Sequence, residues 1–162
     1  MWLNVPATPA PEAHHRELRI AQVPQGGQVF IWSIRQWMVS RRNLRCVGCD
    51  LQPTYSRFNC KPAIMHLDEF MRRLVEAPIR ALELRHPQFP TLAHDERIML
   101  RVLQAACATR EQAAARRAAE QLVCVGAGEL CDCARRYGQA IKPAGLRLSS
   151  YRQLRLAWSA PP

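Results

Sequence analysis

Apolar residues in this chain recur every third or fourth position. Leu67, Phe70, Met71, Leu74 and Val75 form one such set, and Phe30, Ile34, Trp37 and Met38 another. This spacing gathers side chains on one face of an α-helix, whereas a strand would scatter them over both faces. It predicts a mainly α chain, folded as a single-domain bundle of about five helices. The 162 residues suit one domain, long enough to bury a core without disulfide staples.

Punctuation along the chain sets the expected limits. Residues 1–27 carry Pro6, Pro9, Pro11, Pro24 and a Gly26-Gly27 pair, and read as a flexible arm with room for a short helix over 12–20. Residues 28–148 form the helical domain, and 149–162 a polar, basic tail. The first helix spans 28–42, with Arg35 and Arg42 opposite its apolar stripe. Gly48 and Pro53 mark 45–60 as a loop, and Pro62 opens the next helix. Leu82 and Leu84 alternate with Glu83 and Arg85, the pattern of a short extended segment. Leu-x-Leu returns at 146–148 and 154–156, so these segments are expected to pair as a small β-ribbon. Helix resumes from Leu92, restarts at a Thr109–Gln112 capping box, and ends in a stripe of Leu130, Cys133, Ala134, Tyr137 and Ile141.

The net charge is +10, and 21 of the 23 basic residues are arginines, the others being Lys61 and Lys142. Such a surface attracts acidic partners, and the planar guanidinium suits bidentate carboxylate or phosphate contacts. Arg35, Arg41, Arg42 and Arg45 crowd one stretch and are the candidate surface for an acidic protein partner. Nucleic acid is the competing partner.

Seven cysteines accompany a start, MWLNVPATPAPEAHH, that has no basic segment followed by an apolar one. With no apolar run long enough to span a bilayer, the expected setting is a reducing cytoplasm with free thiols. Cys46 and Cys49 make a Cys-x-x-Cys pair, and Cys60 and His66 follow. Together the four would supply a tetrahedral zinc site, while the alternative treats the cysteines as small apolar residues. A redox pair requires its first thiol at a helix N-terminus. Here the pair follows a helix and precedes an expected loop, which is the wrong polarity. Cys124, Cys131 and Cys133 show no iron–sulfur spacing, and Cys133 belongs to the apolar stripe.

Glycine-rich phosphate loops, nucleophile elbows and HExxH are absent from the sequence. His94-Asp95-Glu96 sits where acidic residues complement a helix dipole. Residues 92–117, LAHDERIMLRVLQAACATREQAAARR, resemble the front half of a LuxR-type helix-turn-helix. The resemblance rests on Leu92, Glu96, Arg97, Leu100, Arg101, Leu103, Glu111 and Ala113. It implies DNA binding through the following helix. Gln112 departs from that pattern at an apolar position, and no Gly-Ile-Ser turn follows Arg117. The expectation is therefore a non-catalytic helical adaptor or regulator that meets an acidic macromolecule through arginines. The alternatives are a nucleic-acid-binding regulator with zinc at the 46–60 loop and a thiol-dependent redox protein.

Overall fold

The computed structural model describes residues 17–148. Six α-helices run in order: α1 (Gln25–Arg42), α2 (Val47–Arg57), α3 (Ala63–Glu76), α4 (His94–Cys107), α5 (Gln112–Ala119) and α6 (Ala127–Ile141). The mainly helical expectation holds. The sixth helix is α2, which forms in the stretch read as a loop. Pro53 sits inside it, yet Leu51 and Tyr55, four residues apart, are both fully buried. Burial of that face outweighs the local cost of the proline.

α1 lies centrally and packs against α2, α3 and α4, while α6 packs against α3, α4 and α5. The core forms where these helices meet. Phe30 of α1 packs edge-on against Phe70 of α3, with ring centroids 5.7 Å apart, and lies 5.4 Å from Tyr137 of α6. Tyr55 of α2 donates to Ser33 Oγ at 2.9 Å and lies 2.9 Å from the Tyr137 hydroxyl. This buried hydroxyl chain ties α1, α2 and α6 together with its polar atoms paired.

Both turns that bracket α2 are left-handed caps. After α1, Leu44 has φ 54° and its N–H reaches Arg41 O at 3.2 Å, while Arg45 N–H reaches Ser40 O at 2.8 Å. After α2, Asn59 has φ 53° and its N–H reaches Ser56 O at 3.1 Å, while Cys60 N–H reaches Tyr55 O at 2.9 Å. Each is a Schellman motif, which closes the last carbonyls of its helix. Asparagine tolerates that conformation well and leucine does not.

The expected β-ribbon is absent: the described residues contain no strand, only isolated bridges between Arg19 and Thr91 and between Pro78 and Val123. Residues 79–92 instead form a strap whose backbone is held by side chains. Arg85 N–H donates to Glu96 Oε1 at 2.9 Å, and Glu83 N–H to Asp95 Oδ2 at 2.7 Å. Leu146 and its neighbours dock elsewhere, on the start of α1, where Gly26 N–H donates to Arg147 O at 3.1 Å. A Cβ at Gly26 would stand 2.7 Å from that oxygen, so only glycine permits the contact. The third Leu-x-Leu segment, 154–156, lies outside the described residues, as do residues 12–16 of the short helix expected at 12–20. Residues 17–19 are not helical, and the arm's last residues, 25–27, belong to α1. Thr109 does not cap α5, whose N-cap residue is Glu111. No helix among the described residues is long and apolar enough to cross a membrane.

Candidate functional site: a cationic groove at the start of α2

A groove of about 540 Å³ lies between the α1–α2 turn and α3. Arg41, Arg45, Lys61 and Arg72 line it, together with Val47, Ile64, Met65, Cys46 and Asp68. Its base is a fixed set of contacts between α1 and α3. Trp37, only 2% exposed, donates from Nε1 to Asp68 Oδ1 at 2.8 Å. Asp68 Oδ2 lies 2.8 Å from Arg72 Nε, one helical turn further along α3. The Arg41 guanidinium stands 5.5 Å over the Trp37 ring.

The far wall is the first turn of α2, pinned to the end of α1 through Asp50. This carboxylate accepts from Ser40 Oγ at 2.6 Å and from Arg45 Nη2 at 2.5 Å. The Ser40 hydrogen bond, with Arg45 in support, holds the Asp50 carboxyl below the usual range. These bonds orient the N-terminus of α2 toward the groove. Arg41 and Lys61 have no carboxylate partner among the described residues. They are the uncommitted cations here.

Cys46 is the N-cap residue of α2, and its Sγ accepts from Cys49 N–H at 3.2 Å. The sequence reading placed this pair on the wrong side of a helix. The unexpected α2 reverses that polarity and gives the arrangement a reactive thiol requires. Hydrogen bonds from the Cys49 thiol and the Cys49 N–H push the Cys46 thiol below its ordinary value, and the same interaction pushes Cys49 up. Both cysteines are exposed.

The structure does not bring the four expected metal ligands together. Cys46 and Cys60 stand at opposite ends of α2, whose 11 residues span about 16 Å. Cys60 is buried, and His66 is half-buried on α3. No cluster of three or more His, Cys, Asp or Glu side chains suited to a metal occurs among the described residues.

The arginine set divides. Arg41 and Arg45 line the groove, and Arg42 is exposed at the end of α1. Arg35 is 1% exposed and bound inside the protein to Glu96, so it cannot meet a partner. Lys61 and Arg72 were missed by sequence reasoning, because they come from α3 and the turn before it. No local pattern links them to Arg41. Compared with known proteins, the chain matches no family model, no curated protein and no solved structure, so the groove's chemistry is read from its own residues.

Proposed function

We propose that this protein is a helical adaptor whose groove receives an acidic, leucine-bearing segment of another protein. One observation carries this reading: Arg41 and Lys61, which have no carboxylate partner among the described residues, line the same groove as the apolar Val47, Ile64 and Met65. Cations beside apolar contacts suit a segment that alternates carboxylates with aliphatic side chains. Met65 is 66% exposed and Leu44, beside Arg45 in the turn, is 95% exposed. Both would gain from apolar cover.

One feature favours a protein segment over a nucleic acid. Trp37, the aromatic residue at the groove's base, is buried and offers no face for base stacking.

The test is fluorescence anisotropy with a labelled peptide of alternating glutamate and leucine, beside a single-stranded oligonucleotide of equal charge. The peptide is expected to bind, with Arg41→Glu/Lys61→Glu weakening it by about tenfold or more. Binding of the oligonucleotide alone, or binding of the peptide unaffected by that double reversal, overturns the proposal.

A further inference from the structure

We infer that Cys46 and Cys49 form a thiol–disulfide exchange site that reacts with small anionic disulfides of the glutathione type, independently of what the groove docks. Three observations carry the inference. The two cysteines are three residues apart at the start of α2 and are joined by the 3.2 Å contact from Cys49 N–H to Cys46 Sγ. Cys46 has extended backbone angles, φ −70° and ψ 107°, and so lies outside the rigid helical turn and can rotate toward its partner. Cys46 also faces the groove beside Arg41, Arg45 and Lys61, where the carboxylates of a glutathione half meet positive charge.

The remaining thiols show what is special about this pair. Burial pushes Cys131 and Cys133 up to about 11. Cys60 is also raised by burial. Cys46 is lowered by the hydrogen bonds its sulfur accepts, so it carries the larger thiolate fraction at neutral pH.

The chemistry balances. The Cys46 thiolate attacks one sulfur of glutathione disulfide, an S–S bond forms to Cys46, and one glutathione leaves as thiolate and takes a proton from water. Cys49 then loses its proton to solvent and attacks Cys46 Sγ. The Cys46–Cys49 bond forms and the second glutathione leaves. Two protein thiols are oxidised, and one disulfide is reduced to two free thiols.

The experiment treats the full chain with glutathione disulfide at neutral pH, quenches with acid, alkylates and maps peptides by mass spectrometry. Wild type is expected to lose two hydrogens and yield a linked Cys46–Cys49 peptide. Cys49→Ser is expected to stop at a glutathione adduct on Cys46. Cys46→Ser should give neither product, and serine is the better N-cap, so α2 keeps its start. A wild type that stays fully reduced overturns the inference. So does an adduct in Cys49→Ser that falls on Cys124 rather than Cys46. A separate readout is the rate of iodoacetamide labelling against pH. Cys46 should reach half its maximal rate at lower pH than a cysteine in an unstructured peptide, and the reverse order overturns the inference.

Discussion

Arg35 and Glu96, 61 residues apart in sequence, form a closed pair in which every polar atom is used. Arg35 Nε and Nη2 each donate to the Glu96 carboxylate at 2.7 Å. The other donors go to the carbonyls of Thr91 at 2.8 Å, Phe89 at 2.7 Å and His86 at 3.2 Å. Glu96 also accepts from Arg85 N–H at 2.9 Å and from Ala93 N–H at 2.8 Å. Both side chains are fully buried. The pair stands in for secondary structure along the strap.

Arg35→Met is expected to destabilise the protein by about 3–5 kcal/mol, the usual cost of leaving one buried charge unpaired. An apolar double replacement often restores stability at buried ion pairs. Here Arg35→Met/Glu96→Leu should not, because the carbonyls of His86, Phe89 and Thr91 and the N–H groups of Arg85 and Ala93 would lose their partners, those of Thr91 and Ala93 in buried surroundings. Urea unfolding checks this, and a double variant as stable as wild type would refute it.

Asp95 is the second buried anchor. Burial opposes its charge, but Arg80, through two hydrogen bonds, and the Glu83 N–H outweigh that, so its carboxyl is lowered. A lowered carboxyl favours the native state above its unfolded pKa and loses that contribution as pH falls through the folded value. Asp95→Asn should therefore be less stable than wild type at neutral pH. The gap should narrow on acidification below about pH 5. Thermal melts of both proteins across that range measure it, and a constant gap contradicts the assignment.

Leu44 occupies a left-handed cap, exposed and without apolar cover. Leu44→Gly is expected to stabilise the protein by about 1 kcal/mol, since glycine adopts that conformation without strain. If the turn contacts an acidic, leucine-bearing segment, the same variant binds the peptide more weakly. Gains in both stability and binding would remove Leu44 from the docking surface.

Gly138 of α6 packs against Cys107, the last residue of α4. A Cβ there would overlap the Cys107 sulfur. Gly138→Ala should lower stability by about 1–3 kcal/mol despite alanine's better helix propensity. Cys107→Ala/Gly138→Ala should recover it, because the two Cβ atoms would then stand 3.7 Å apart, an ordinary contact. Differential scanning calorimetry distinguishes the two, and equal Tm values for single and double variants would show that the sulfur is not the obstacle.

Much of the helical frame was legible in sequence. Phe30, Ile34 and Trp37 are buried as their spacing required, and so are Leu67, Phe70, Met71 and Leu74. Met38 is only half-buried, and Val75 is 39% exposed at the end of α3. α2 was misread because Gly48 and Pro53 are local breakers, whereas Leu51 and Tyr55 are held by distant partners. Asp95 and Glu96 looked sufficient as charges at a helix start. Nothing local distinguishes a carboxylate that faces water from one that grips a guanidinium across the core.

The amino-acid order alone determined that this chain is helical, where most inward faces lie, and that its charge is overwhelmingly arginine, because periodicity and composition belong to single segments. Tertiary structure decided which arginines remain outside. Docking α4 beside α1 drew Arg35 inward to Glu96, and seating α3 against the α1–α2 turn brought Lys61 and Arg72 to Arg41. Those outcomes depend on how helices meet, and a residue's hydrogen-bond partners are chosen only once a second element arrives within a few ångströms.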